Sequence, residues 1–120
     1  EVIEHLQNPR AFMRELARVT RPGGRALVST PNQRSALSLA TLLCKGQYNA
    51  FQASDYPAHI TALLEIDLTR IAVECGLKPE GIRYSRSSRI PGTSWHWPPG
   101  LAGVAPRLLS DNLMLVARKV

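Results

Sequence analysis

The stretch Arg21–Asn32 reads RPGGRALVSTPN and joins a tight turn to a short apolar segment. The turn is Pro22–Gly24, since proline fixes its own φ and glycine accepts backbone conformations that other residues avoid. Ala26–Thr30 is predicted to be a β-strand, and Pro31 is expected to end its pairing because it has no N–H group. A helix, a turn and a strand in this order form half of the crossover that connects parallel strands in an α/β sheet.

The helix before this turn is marked at its start and along one face. Asn8 is a good N-cap and Pro9 suits the first helical position, so we predict a helix over about Pro9–Thr20. Phe12 and Leu16 belong to its apolar stripe. The same reasoning predicts further elements, namely helices over Ser35–Lys45 and Glu65–Cys75 and strands over Lys78–Ser87 and Asn112–Lys119.

Composition narrows the class of protein. A chain of 120 residues with 44% hydrophobic residues has the size and composition of one globular domain. The balance of 15 Lys and Arg against 9 Asp and Glu gives a net charge of +6, which could suit an anionic partner. Arg10, Arg14 and Arg18 line one helical face, which we interpret as a solvated outer surface.

The apolar stretches and the cysteines indicate a cytoplasmic protein. The longest apolar stretch, Ala36–Cys44, is far shorter than the roughly 20 residues that span a bilayer, so no membrane span is predicted. No signal-peptide pattern is present. Cys44 and Cys75 lie in apolar helical patterns without C-x-x-C spacing, which favours reduced, buried thiols.

Two segments without periodicity are predicted to be connections. Gln47–Pro57 has turn formers and two aromatic residues, and we interpret it as a loop or lid over a ligand-binding mouth. Arg89–Ser110 is rich in Pro and Gly and carries Trp95 and Trp97 around His96. These aromatic residues could stack on a flat substrate, but we expect them to anchor the long connection against the core.

Several motifs occur in an order that is typical of one enzyme superfamily. They are Glu1–Leu6 (EVIEHL), Arg21–Gly24, His59–Thr61, Glu74–Leu77 and Ser110–Leu113 (SDNL). Together they resemble the second half of a class I S-adenosylmethionine (SAM)-dependent methyltransferase. Leu64 departs from the family pattern, which usually has Ser or Thr as the N-cap at that position.

The resemblance implies an α/β fold made of the C-terminal half of a Rossmann-like class I methyltransferase sheet, with parallel strands and a final antiparallel strand. Residues 1–120 would then be one incomplete domain without its cofactor-binding N-terminal half, since no glycine-rich turn is found. We also expect an unpaired, apolar sheet edge through which the chain could associate.

The first residues carry a cluster of ionisable side chains. Glu1, Glu4 and His5 are spaced i, i+3 and i+4, so one helical turn would aim all three into a pocket at the carboxyl end of a strand. An E-x-x-E-H cluster with a downstream His resembles the divalent metal site of ubiquinone-pathway O-methyltransferases and of enzymes that methylate the terminal 2′-hydroxyl of small RNAs. That resemblance implies Glu1, Glu4, His5 and His59 as metal ligands.

Other roles for these residues stay open at this point. His5 or His59 could act as the general base, and Glu1 could contact the cofactor. Equally, Glu4 and His5 could cap the turn, and His59 could fix the extended segment before the third helix. Asn32 follows a strand, where it could face the substrate or cap the next helix.

These observations favour a cytoplasmic SAM-dependent O-methyltransferase acting on a small molecule or on a glycan or lipid precursor, with SAM as cofactor and a divalent metal as a further candidate. The glycan hypothesis depends on similarity alone. A terminal RNA 2′-O-methyltransferase with a divalent metal is the first alternative. A non-catalytic interaction module is the second. We expect the isolated 120 residues to be inactive as an enzyme.

Overall fold

The computed structural model describes all residues, 1–120. The chain contains four α-helices, three strands and three short 3₁₀ turns, the latter at Ile3–His5, Asn49–Phe51 and Ala53–Asp55. The main elements are α1 (Pro9–Val19), β1 (Arg25–Pro31), α2 (Ala36–Lys45), α3 (Glu65–Glu74), β2 (Leu77–Tyr84), α4 (Pro99–Val104) and β3 (Asn112–Lys119).

The three strands form one sheet in the order β1-β3-β2, and β3 is antiparallel to both neighbours. Leu115 of β3 lies opposite Val28 of β1 on one side and Ile82 of β2 on the other. The predicted final antiparallel strand is therefore confirmed. The expected pairing between parallel strands is not present, because β3 separates β1 from β2. Because β3 is the central strand, β1 has a partner on one side only and forms an unpaired edge of the sheet.

The hydrophobic core lies on one face of this sheet. Leu113, Leu115 and Ala117 alternate along β3 and are buried, as expected for a strand with one face on the core. Met13 of α1 and Leu68 of α3 pack against them and are fully buried. The helices thus hold the sheet from one side and fix the carboxyl end of β1, where the candidate site lies.

The Pro22–Gly24 turn is tied to the far end of the sheet. Gly23 has a φ of +77°, which glycine adopts without strain, and its N–H donates to the carbonyl oxygen of Lys119 at 2.8 Å. The N–H of Lys119 in turn donates to the carbonyl oxygen of Gly24 at 2.9 Å. The turn therefore fixes where β1 starts relative to the last strand.

The helix boundaries agree with the predicted caps. The Asn8 side chain accepts a hydrogen bond from the Ala11 N–H at 3.0 Å, and Gly46 ends α2 in the left-handed conformation. Leu64 provides no side-chain cap for α3, but the Asp67 carboxylate accepts the Leu64 N–H at 2.9 Å. Asp67, in the first turn of α3, thus provides a hydrogen-bond acceptor for the backbone N–H group of Leu64.

Two expectations about Pro31 and the cysteines are wrong. Pro31 lies within β1 opposite Asn112. The Asn32 N–H donates to the carbonyl oxygen of Asp111, just before β3, so the Pro31 nitrogen faces away from β3. An edge strand tolerates proline at such a position. Cys44 is exposed and Cys75 is half-buried, so neither is a buried thiol, although both are free as predicted.

The long connection also differs from the prediction. Trp95 is 76% exposed and does not anchor the connection to the core. The Trp97 side chain is half-buried. Backbone bonds close this part of the connection on itself: the N–H of Ile90 donates to the Trp95 carbonyl oxygen at 2.7 Å, and that of Trp97 to the Ser88 carbonyl oxygen at 3.0 Å. The connection also contains α4, which Pro and Gly content alone did not predict. No helix in the structure combines the length and hydrophobicity needed to cross a bilayer.

Candidate functional site

The motif Glu1–Leu6 forms a single 3₁₀ turn that covers only Ile3–His5. Its position is fixed by one carbonyl group: the Glu4 oxygen accepts the N–H groups of Ile60 and Thr61, each at 3.0 Å. These two bonds bring the segment around His59 next to the turn. Glu1 precedes the turn, so the turn does not group all three ionisable side chains as its spacing predicted.

The structure brings Glu4, His5 and His59 together. One ligand atom from each lies within 4.8 Å of the others. The Glu4 Oε1 and His5 Nε2 atoms are 3.6 Å apart, and the two imidazole rings meet edge to face with centroids 4.7 Å apart. Glu4 is only 1% exposed, whereas the His5 side chain reaches the surface. A buried carboxylate therefore faces two histidines at the edge of solvent.

The hydrogen bonds of the two rings fix the same tautomer in each. The Nδ1 atom of His5 lies 2.6 Å from the carbonyl oxygen of Ala58, and that of His59 lies 2.5 Å from the carbonyl oxygen of Ala50. A carbonyl oxygen can only accept, so both Nδ1 atoms carry the proton. Each Nε2 atom is left with a lone pair, as in histidines that bind metals or accept protons.

The chemistry of these three groups fits a divalent transition metal. Two imidazole nitrogens and one carboxylate suit Mn, Fe, Co or Zn. The Glu4 carboxylate has little compensation from the protein, because its nearest hydrogen-bond donor is the Thr30 hydroxyl at 3.5 Å. A buried carboxylate with so few partners is stabilised by a cation. Glu4, His5 and His59 are therefore the residues that could hold one.

A cavity of about 240 Å³ lies beside this cluster, with His59 in its wall. It lies where β1 ends, the edge of an open α/β sheet at which ligands bind. Among its ten lining residues only Pro31 and Ala50 lack a polar side chain. Ala50 belongs to the segment predicted to be a loop or lid, and its carbonyl group also holds His59. The cavity and the ligand cluster thus form one site.

Glu1 lies in the wall of this cavity but outside the ligand group. It is exposed to solvent. The structure therefore places Glu1 beside the cavity rather than with Glu4. Its roles in metal and cofactor binding stay predictions.

Asn32 also lines the cavity, but its side chain bonds to the backbone. Its amide nitrogen donates to the carbonyl oxygens of Arg107 at 2.7 Å and Ser110 at 2.8 Å. Its Oδ1 atom accepts the Arg34 N–H at 3.1 Å. With 3% exposure Asn32 is placed as an anchor between two loops, and its contact with substrate stays a prediction.

Sequence reasoning missed several residues of the cavity wall, among them Ser35, Ser38, Asp111 and Asn112. The only signal for Asp111 and Asn112 was the SDNL motif, which was used for its family resemblance and not for chemistry. Ser88 is fully buried and donates its hydroxyl to the Asp111 Oδ1 atom at 2.9 Å. Such a contact between distant segments has no signature in local spacing.

Several acidic residues outside the site form ion pairs with arginines. Arg10 binds Glu74 at 2.7 Å, and Arg18 binds Glu15 at 2.8 Å, so only Arg14 of the predicted arginine face has no ion pair. Glu80 lies between Arg118 and Arg25, whose hydrogen bonds lower the pKa of its carboxyl group. Six of the 15 Lys and Arg residues form ion pairs, so the surface keeps a net positive charge.

A family model described as a methyltransferase domain matches residues 1–81. The chain belongs to the methyltransferase-domain family. This assignment agrees with the resemblance to class I SAM-dependent methyltransferases found in the sequence motifs. The matched residues include the whole Glu4, His5 and His59 cluster.

The fold of this methyltransferase-domain chain is similar to that of a crystal structure of a SAM-dependent methyltransferase from Archaeoglobus fulgidus. The TM-score is 0.59 and the sequence identity is 16%. The match covers 98% of this chain and 55% of the archaeal one, so the chain spans about half the length of that protein. No curated protein matches.

Proposed function

We propose that the chain forms part of a SAM-dependent methyltransferase that transfers a methyl group to a hydroxyl oxygen of a small molecule or of a glycan or lipid precursor. The observation that carries the proposal is the contact between a polar cavity and the cluster of Glu4, His5 and His59. The family match supports methyl transfer as the general activity.

The proposed chemistry places two demands on this chain. When bound, SAM supplies a methyl group whose leaving group is already activated by a sulfonium charge. The chain must therefore align the acceptor hydroxyl and remove its proton. The cavity wall provides the alignment. In the neutral imidazole of His59 the proton lies on Nδ1, so Nε2 can accept a proton from a hydroxyl group in the cavity. This role is an alternative to metal binding, because Nε2 has a single lone pair.

A divalent metal is part of the proposal. Glu4, His5 and His59 would hold it, with Glu1 as the further ligand that the resemblance implies. When bound, such a cation lowers the pKa of a coordinated hydroxyl group. The buried Glu4 carboxylate supplies the negative charge that attracts it, and the two carbonyl bonds keep both Nε2 atoms available.

We further propose that residues 1–120 form the acceptor side of a larger Rossmann-like domain. The 55% coverage of the archaeal structure supports this, as does the lack of a glycine-rich turn in these residues. In that arrangement most contacts to SAM come from residues outside this chain, with Glu1 near the boundary. The unpaired edge of β1 is where the rest of the sheet would join.

Terminal RNA 2′-O-methylation is the second candidate, and the cluster of Glu4, His5 and His59 is the observation in its favour. The surface gives it less support. On the predicted arginine face of α1, Arg10 and Arg18 are bound to acidic partners, so this face offers phosphates only one arginine without an ion pair, Arg14.

The test uses the full-length protein that contains this chain. Binding of S-adenosylhomocysteine (SAH) would be measured by calorimetry, and methyl transfer from tritiated SAM would be followed with and without Mn²⁺. We expect micromolar binding and activity that is reduced by His59→Ala but not by His96→Ala, which lies on a different loop. Absence of SAM and SAH binding would refute the proposal and favour an interaction module.

A further inference from the structure

We infer that Asp111 and Asn112 select the methyl acceptor, and that this acceptor is a polyhydroxylated molecule such as a sugar or cyclitol rather than an aromatic phenol. The inference rests on the proposed methyltransferase function and names its substrate class.

Asp111 holds one carboxylate oxygen fixed and leaves the other without a partner. Its Oδ1 atom accepts the hydroxyl of the fully buried Ser88 at 2.9 Å. Its backbone is also fixed, since its N–H donates to Ser87 at 2.8 Å and its carbonyl oxygen accepts the Asn32 N–H at 2.7 Å. The Oδ2 atom accepts no hydrogen bond from the chain and is not sealed from solvent. A rigid, charged acceptor therefore lies in the cavity wall.

Asn112 presents an unpaired amide next to this carboxylate. It is the first residue of β3, and its backbone N–H and carbonyl oxygen both bond to Ser85. Its side chain forms no hydrogen bond within the chain, although it lies in the wall of the cavity. Consecutive residues thus offer a charged acceptor together with an amide donor and acceptor.

Two serine hydroxyls on the same wall add donors. The Ser35 oxygen accepts the Ser38 N–H at 3.1 Å, and the Ser38 oxygen accepts the Asn49 N–H at 3.2 Å. Since each oxygen is already used as an acceptor, each O–H group is left free to donate. The wall therefore contains both donors and acceptors without protein partners.

This set of groups matches hydroxyls that donate and accept at neighbouring positions. A sugar or cyclitol would satisfy the Asp111, Asn112 and serine groups together, with His59 in the same wall close to the acceptor oxygen. A flat aromatic ring would displace water from these groups without offering them hydrogen-bond partners, and this would cost binding free energy. Sites built to hydrogen-bond a substrate discriminate strongly against molecules that lack the matching groups.

The first variant exploits the shape of Asp111. Asp111→Asn keeps an oxygen that can accept the Ser88 hydroxyl but replaces the free acceptor with an NH₂ donor. Asn112→Ala removes the unpaired amide and leaves the backbone bonds to Ser85 in place. The matched control is Asp67→Asn, since Asp67 also accepts one hydrogen bond from the chain but lies on α3 outside the cavity.

Saturation-transfer NMR on the full-length protein, with SAH present, would compare methyl α-D-glucopyranoside and myo-inositol with catechol. We expect at least one polyol to bind, and Asp111→Asn and Asn112→Ala each to weaken it about tenfold, the loss expected for one hydrogen bond to a charged or fixed group. Asp67→Asn should leave the affinity unchanged. SAH affinity should be the same in all four proteins.

Two results would overturn the inference while leaving the proposed function intact, as shown by retained SAH binding. The first is that neither polyol binds, whether or not catechol does. The second is that polyol affinity is unchanged in both cavity variants. If Asp111→Asn does not fold, Asn112→Ala alone tests the inference. Its fold should be retained, because the Asn112 side chain forms no hydrogen bond within the chain. If the unsubstituted protein does not bind SAH, the proposed function itself is refuted.

Discussion

His5 and His59 meet edge to face, with ring centroids 4.7 Å apart and an angle of 67° between the rings. Each ring is held at Nδ1 by a carbonyl oxygen of a different segment, so both Nε2 atoms are free for a ligand. The two rings therefore present both Nε2 atoms toward one place before any ligand is bound.

Removing either ring should weaken cation binding. We expect His5→Ala and His59→Ala each to reduce the affinity of the full-length protein for Mn²⁺ or Co²⁺ at least tenfold, because each removes one ligand atom. Isothermal titration calorimetry measures this directly. His96→Ala should bind as the unsubstituted protein does. Equal affinity in all of these proteins would show that the three side chains do not form a metal site.

Neutralising the buried carboxylate should separate metal binding from folding. Glu4→Gln keeps the shape of the side chain but removes its charge, so we expect a loss of Mn²⁺ affinity of at least tenfold with little change in SAH affinity. Because the amide is easier to bury than an unpaired carboxylate, the metal-free variant should melt at the same temperature or higher. A variant that melts lower but binds metal normally would contradict the assignment of Glu4 as a ligand.

Protonation of Glu80 in acid should lower the stability of the folded protein. Hydrogen bonds from Arg118 and Arg25 lower its pKa in the folded chain, so its contribution is complete above the ordinary pKa of a glutamate. That contribution is lost as the pH falls through the lowered, native pKa.

Thermal unfolding across the acid range would test this. Glu80→Gln should lower the melting temperature at neutral pH and flatten its decline in acid. Glu15→Gln serves as the control, since Glu15 has a single exposed partner, Arg18. A Glu80→Gln variant whose melting temperature declines as steeply as that of the unsubstituted protein would show that Glu80 does not carry this pH dependence.

Two glycines should respond to alanine with opposite signs. A Cβ atom at Gly24 would lie 2.9 Å from the carbonyl oxygen of Arg21, whereas one at Gly103 in α4 meets nothing within 4 Å. We expect Gly24→Ala to destabilise the protein by about 1–3 kcal/mol. Gly103→Ala should stabilise it by roughly 0.5–1 kcal/mol. Chemical denaturation of both variants would measure the difference, and similar values would contradict the close approach at Gly24.

Local signals in the sequence predicted the elements well. Asn8 with Pro9 marked the start of α1, and the apolar run in Asn112–Lys119 gave β3 with its observed bounds. The signals failed where distant bonds decide the structure. Trp95 is exposed because backbone bonds between Ser88 and Trp97 hold its loop, and no pattern of side chains encodes these bonds.

The candidate site was only partly predictable for the same reason. The EVIEHL motif pointed to Glu4 and His5, and family resemblance added His59. Their approach depends on the backbone bonds from Ile60 and Thr61 to Glu4, which join two remote segments. The role of Asp111 depends on its bond to Ser88. Spacing along the chain cannot specify contacts of this kind.

The single carbonyl group of Glu4 joins the segment of Glu4 and His5 to the segment of His59. The amide protons of Ile60 and Thr61 are held by the residue whose side chain would bind the cation. Occupancy of the cluster should therefore slow deuterium uptake at these two amides. These two amides would report binding of a cation even while the substrate is unknown.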